Sequence, residues 1–254
     1  IQRNPLCGRN FEYFSEDPLL TGRMGANVVR GVQSAGCAAT PKHFALNNQE
    51  TERFTNDSRC SERAMREIYL RGFEIVAKTA KPYGIMGCYN RVNGVCGYGC
   101  YDLCTTILRE QWGWDDMLMT DWWTRREESR ELAAADNALR VRAQTDLLMP
   151  GEGPSENDRS LLDSCERWAA AGMPRSLDAG ITLGEMQRCA RNVLKNTMRT
   201  RIFCDKYGVP DDYRPGEPWF RVETLSERGE KPSAEDAEDE TEDDAMTPES
   251  APEE

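Results

Sequence analysis

Met117-Leu-Met-Thr-Asp121 is a short apolar run that ends on a carboxylate, and its surroundings decide how the chain folds. A run this short, bounded by turn signals, reads as a buried β-strand. Upstream, a helix is expected to start near Asp102 with Leu103, Ile107 and Leu108 inward and to end at Gly113, since glycine suits the residue just past a helix. Gly84-Ile-Met-Gly-Cys-Tyr-Asn90 is a second run of the same kind. Cys37-Ala-Ala-Thr-Pro-Lys-His-Phe44 is a third, with Pro41 near its end, where a missing N–H is tolerated. Downstream, a polar, charged helix over about 125–142 leads to a fourth strand, Asp146-Leu-Leu-Met-Pro150.

The helical signals fall between and around these runs. Asp17-Pro18 opens one helix, with Asp as cap and Pro at the first helical position; Leu20, Met24 and Val28 line one of its faces and Gly36 ends the region. Ser61 caps a helix to about Lys78, in which Ala64, Ile68, Phe73 and Val76 recur at near-helical spacing. Thr182-Leu-Gly-Glu185 is a capping box that opens a helix to about Thr200, with Met186, Cys189, Val193 and Leu194 on one face.

Short apolar strands alternating with helices give an α/β fold with a parallel sheet. Four such strands are about half of an eight-stranded barrel. The polar residues Lys42 and His43, Tyr89 and Asn90, and Asp121 all lie at the C-terminal ends of strands, where a barrel builds its site. An open doubly wound sheet would place its site there too, but no glycine-rich phosphate turn follows any strand.

Charge and composition exclude other classes. The formal net charge is −12, of which residues 227–254 carry −11 through 13 Asp and Glu against Arg228 and Lys231, leaving the body near −1. This acidic, proline-dotted tail is expected to be disordered. No basic patch suggests nucleic acid, and no apolar run approaches the ~18 residues of a membrane span. Ten Cys lack CxxC spacing and there is one His, a poor basis for a zinc site. Buried free thiols fit a reducing compartment, so a cytoplasmic location is expected; no leader is visible in a chain that starts at Ile1. No metal or organic cofactor is implied.

Five segments in register resemble glycoside hydrolase family 3 of the β-glucosidase and β-xylosidase type. They are Gly8-Arg-Asn-Phe-Glu12 with Ser15-Glu-Asp-Pro18, Lys42-His-Phe-Ala-Leu-Asn-Asn-Gln-Glu50 with Arg53, Met86-Gly-Cys-Tyr-Asn90, Trp112-Gly-Trp114, and Met119-Thr-Asp-Trp122, within residues 3 to 203. The resemblance implies that Asp121 is the nucleophile that forms a covalent glycosyl-enzyme. It implies that Arg9, Lys42 and His43 hold sugar hydroxyls, that Tyr89 sits beside the nucleophile, and that Met86 and Trp122 help line the pocket. The chemistry agrees. A retaining glycosidase needs one ionised carboxylate to attack and one protonated carboxyl to release the leaving group. Positive charge near Asp121 is expected to lower its pKa. Bland alternatives stay open: Arg9 pairing with Glu12 or Glu16, His43 as a satisfied core side chain, Tyr89, Trp123 and Trp168 as packing, and Glu50 with Arg53 as a structural ion pair behind the site.

The chain departs from the family pattern in two respects. The first barrel strands are absent, and with them an early Asp that grips the sugar in the family. The general acid/base, which the family takes from an α/β sandwich domain, has no place downstream. Val141-Arg-Ala-Gln-Thr-Asp-Leu147 and Gly180-Ile-Thr-Leu-Gly-Glu-Met-Gln-Arg-Cys-Ala190 resemble the group with reversed domain order, which would put the sandwich domain upstream. After Lys42-His43-Phe44 the chain lacks the second His of the N-acetylglucosaminidase branch, which favours a β-glucoside or β-xyloside oligosaccharide as substrate. The expectation is therefore a partial (β/α)8 TIM barrel over 1–205, a flanking extension over 206–226 and an acidic disordered tail over 227–254. Two other functions compete: a catalytically incomplete or degenerate sugar-binding barrel fragment, and a Schiff-base lyase built on Lys42.

Overall fold

Burying apolar runs this short requires backbone partners on both sides, and the four runs supply them to one another in chain order. The computed structural model describes residues 1–122, 137–150 and 181–208. Along the chain come α1 (Pro18–Ser34), β1 (Asp57–Ser58), α2 (Glu62–Ala64), a π-helical stretch Met65–Tyr69 and α3 (Arg71–Ala80). Then follow β2 (Gly84–Met86), β3 (Arg91–Val92), β4 (Val95–Cys96), a π-helix Asp102–Gln111 and β5 (Met117–Trp122). Last come α4 (Asn137–Arg142), β6 (Leu147–Met149), α5 (Leu183–Met198) and α6 (Arg201–Tyr207).

The main sheet runs β2-β5-β6, all parallel, with Ile85 opposite Leu118 and Met119 opposite Leu147. The segment Ala39–Phe44 flanks β2 through Gly84 N–H to Ala39 O (3.2 Å), Met86 N–H to Pro41 O (3.0 Å) and Phe44 N–H to Met86 O (2.8 Å). Four parallel segments thus lie in sequence order without a reversal. Crossovers of one hand then keep the helices on one face of the sheet, which is the order of a (β/α) barrel-type domain; a doubly wound sheet reverses it.

Side chains alternate across the strands. Phe44, Ile85 and Leu118 pack outward against Leu70, Ala77, Leu103, Leu108 and Trp114. His43, Met86, Met119 and Asp121 take the opposite face. Behind α1 and α3, Ala26, Val29, Ala39, Val76 and Ala80 form a second core. A buried carboxylate fastens β5 at its start: Asp146 Oδ2 accepts from Leu118 N–H (2.9 Å) and Arg109 Nη2 (2.8 Å), and its Oδ1 from Asn192 Nδ2 on α5 (3.0 Å).

Local signals act as expected at most helix starts. Asp17 accepts from Leu19 N–H, Ser61 from Ala64 N–H, and the Thr182–Glu185 capping box is formed. Two helices bury a face other than the one their apolar spacing lines. Leu20, Met24 and Val28 of α1 are 46–49% exposed, and the helix buries Gly22, Ala26, Val29 and Gln33. Close packing chooses that face, because a Cβ on Gly22 would meet Ile75 Cδ1 at 2.7 Å, leaving no room for larger residues. On α5, Cys189 is buried but Leu194 is 59% exposed, and Asn192 and Asn196 take buried places as hydrogen-bond donors. The expected helix over 125–142 is described only for α4. Trp123, Trp168 and residues 209–254, which include the acidic tail and most of the flanking extension, lie outside the described residues.

Gly97 offers a test of this packing. A Cβ there would lie 2.3 Å from Cys88 Sγ, which is fully buried. Gly97→Ala is expected to cost about 1–3 kcal/mol by overpacking, read as a lowered urea midpoint. Adding Cys88→Ala to remove the sulfur should restore part of the loss; strictly additive costs would contradict the contact.

Candidate active site

The end of β5 fixes the Asp121 carboxylate in a defined pose. Trp122 N–H donates to Asp121 Oδ1 at 2.7 Å, while Oδ2 has no aligned hydrogen-bond donor among the described residues. Around Oδ2 stand His43 Nε2 at 3.3 Å and Arg53 Nη2 at 4.0 Å. The Tyr89 hydroxyl donates to Trp122 O at 2.7 Å and is also within hydrogen-bonding reach of Asp121. Tyr89 is thus tied by its hydroxyl to the backbone beside the carboxylate.

Asp121 is 5% exposed, and its pKa is raised. Burial is the largest cause; the Trp122 N–H bond, the Tyr89 hydroxyl and the charges of Arg53 and Arg9 act against it. This corrects the expectation of a lowered value: the cations are present, but loss of water outweighs them. His43 is equally buried, and its pKa falls to about 3, chiefly by desolvation and then through Arg9 and Lys42. The imidazole is therefore neutral near neutral pH. The Tyr89 hydroxyl is pushed up to about 12 by burial and by the Asp121 charge.

Arg53 lies in the site and not behind it. It pairs with Glu50 at 3.2 Å, as expected, but its guanidinium also stacks 4.6 Å from the Tyr89 ring centre and reaches toward Asp121. Sequence spacing shows an i,i+3 pair and does not show which way the free edge of the guanidinium points. Arg9 grips Glu12 through two bonds of 2.8 Å, and Lys42 Nζ lies 3.1 Å from the same carboxylate. Glu12 is lowered to about 2, first by Arg9 and then by Lys42. The two cations proposed to hold hydroxyls thus share one counter-ion next to His43. With Lys42 half-exposed and ion-paired, nothing here favours a Schiff-base amine. Met86 is half-buried on the face that carries Asp121, and Trp122, the next residue after Asp121, is 40% exposed.

Glu12 and Glu50, the carboxylates that join this cluster, are both ion-paired. A cavity of about 220 Å³ lies to the side of Lys42, lined by Glu12, Phe14, Pro41, Tyr69, Phe73 and Val76, away from Asp121. Among the described residues, no group of His, Cys, Asp or Glu could hold a metal, and no helix is long and apolar enough to cross a membrane.

The shift of His43 is measurable, because it is the single His in the chain. The unfolded chain takes up its proton near pH 6.5, whereas the folded chain does so only near 3. Between these values the unfolded state binds more protons, so the stability due to this group is complete above 6.5 and is lost as pH falls toward 3. An NMR titration should find the ring still neutral at pH 5, and His43→Gln should flatten the pH dependence of the urea midpoint across this window. A ring protonated at pH 5 in the folded chain would contradict the burial.

Comparison with known proteins agrees with these features. The model of the glycosyl hydrolase family 3 N-terminal domain matches residues 1–181. A β-glucosidase of Ruminococcus albus is 45% identical over 212 residues, covering 82% of this chain and 21% of its own length. An exo-α-(1→6)-L-arabinopyranosidase of Bifidobacterium longum is 40% identical over 209 residues, again 82% of this chain and 25% of its own. Among solved structures, β-glucosidase 3B of Thermotoga neapolitana in complex with α-D-glucose superposes with a TM-score of 0.69 at 37% identity, covering 82% of this chain and 27% of that one. The chain spans 14–25% of the length of the curated relatives it matches. Strand order, the carboxylate at the end of β5 and these matches agree that the chain belongs to glycosyl hydrolase family 3.

Proposed function

We propose that this chain is the nucleophile-bearing sector of an eight-stranded barrel in a retaining β-glycosidase. It would remove terminal, non-reducing β-glucosyl or β-xylosyl residues through a covalent intermediate on Asp121, with the acid/base supplied from outside this chain by an upstream α/β sandwich domain. The observation that carries the reading is the asymmetry of Asp121: Oδ1 is held by the Trp122 N–H and Oδ2 is left without an aligned donor.

The chemistry follows from that pose. A carboxylate taken out of water keeps its lone pairs available, and Oδ2 would attack the anomeric carbon as the leaving-group oxygen takes a proton from the acid. The negative charge of Asp121 would stabilise the positive charge that develops on the sugar ring in the transition state. Neutral His43, with Lys42 and Arg9, supplies donors for sugar hydroxyls, and the Trp122 ring offers an apolar face to the C–H surface of the sugar. The Trp122 N–H fixes the carboxylate, Tyr89 braces the backbone of Trp122, and the charge of Arg53 lies nearby.

Relatives named for β-glucosides and for an α-L-arabinopyranoside call for a panel of substrates. In the polypeptide extended to its full reading frame, β-glucoside or β-xyloside is expected to be hydrolysed faster than α-L-arabinopyranoside. Asp121→Gly should lower kcat/KM on the order of 10⁴-fold, the scale of losing a nucleophile. Azide should restore turnover by giving a glycosyl azide of inverted anomeric configuration. Undiminished hydrolysis by Asp121→Gly would place the nucleophile elsewhere. Sugar binding without turnover by the folded, extended wild type would favour the incomplete-barrel reading.

A further inference from the structure

The two ring nitrogens of His43 meet different surroundings. Nε2 lies 3.3 Å from Asp121 Oδ2. Two lone pairs would repel at that distance, so Nε2 carries the proton and Nδ1 is the acceptor. Nδ1 is buried and has no hydrogen-bond partner among the described residues. The carboxamide of Asn47, four residues on, is in the same condition. The residue is 5% exposed, and among the described residues neither its Oδ1 nor its Nδ2 has a partner. Buried polar atoms left without partners are rare in folded proteins, and those that occur mark an ordered water or a role in function.

Both residues line one small cavity of about 20 Å³, with Tyr13, Lys42, Tyr69 and Phe73. That is room for one water, and a buried water needs two to four polar partners. Tyr13 anchors this loop by donating from its hydroxyl to Asn47 O at 2.9 Å. A water in the cavity can donate to His43 Nδ1 and accept from Asn47 Nδ2.

We infer that Asn47 is a positioning residue for His43, acting through a single water held in this cavity, so that the imidazole keeps its proton on the nitrogen that faces Asp121. The consequence for catalysis rests on the proposed role of Asp121: only this tautomer presents a donor, and not a lone pair, to the sugar side. The arrangement itself does not depend on turnover.

The test uses this chain labelled with ¹⁵N-histidine, in which every signal comes from one residue. Wild type is expected to show a pyrrole-type Nε2 and a pyridine-type, hydrogen-bonded Nδ1. It should also show a cross-peak between the ring Hε1 and a long-lived water. Asn47→Leu, which matches in size but has no polar atoms, should abolish the cross-peak and move Nδ1 toward the position of an unbonded acceptor. Asn47→Ser keeps a polar group and has room for a second water, so it should retain both signals. A protonated Nδ1 in wild type, no water cross-peak in wild type, or spectra unchanged in a folded Asn47→Leu would overturn the inference. If Asn47→Leu does not fold, the wild-type and Asn47→Ser spectra decide. None of these readouts needs substrate, so a failure here is distinguishable from a failure of Asp121 as nucleophile.

Discussion

A carboxylate 5% exposed at the end of a parallel strand has to be held by its neighbours, because water no longer does so. Around Asp121 that holding is uneven. One oxygen receives the backbone N–H of Trp122, and the other meets His43 and Arg53 only at longer range. Burial raises its pKa while the cations work against the rise. The result is a group whose position is fixed and whose second oxygen remains available, which is what a nucleophile requires and what a structural carboxylate, fully bonded, does not provide.

Asp146 shows the structural case in the same sheet. Its carboxylate accepts from the Leu118 backbone, Arg109 and Asn192, with no exposed side-chain surface. It lies just before β6 and clamps the start of β5, while Asp121 occupies the far end of the same strand. β5 is thus pinned at one end by a satisfied carboxylate and presents an unsatisfied one at the other. The division matches the rule that barrel-type domains place stability at the N-terminal face of the strands and chemistry at the C-terminal face.

Strand positions and helix caps were legible in the sequence because they rest on local signals: short apolar runs, Asp17-Pro18, Ser61 and the Thr182–Glu185 box. What was not legible depends on contacts distant along the chain. Leu20, Met24 and Val28 line one face of α1, but the tight approach at Gly22 buries another. Arg53 reads as the partner of Glu50, and its reach to Tyr89 and Asp121 exists only once three segments come together. The sign of the Asp121 shift turned on burial, which no list of nearby charges gives. One missed feature did have a local signal. Asn93-Gly94, with φ of 50° and 91°, turns a hairpin between β3 and β4, and Asn-Gly between short strands is the strongest short-range sign of such a turn.

The central claim is that Asp121 bonds to the sugar. It is tested most directly by incubating the extended polypeptide with a 2-deoxy-2-fluoro-glucosyl fluoride, measuring intact mass and mapping the peptides. The fluorine slows hydrolysis of the intermediate, and the activated leaving group needs little help from an acid. The account predicts one added fluoroglucosyl group, carried on the peptide that contains Asp121. An adduct on any other residue, or none on an extended protein that hydrolyses β-glucosides, would contradict it.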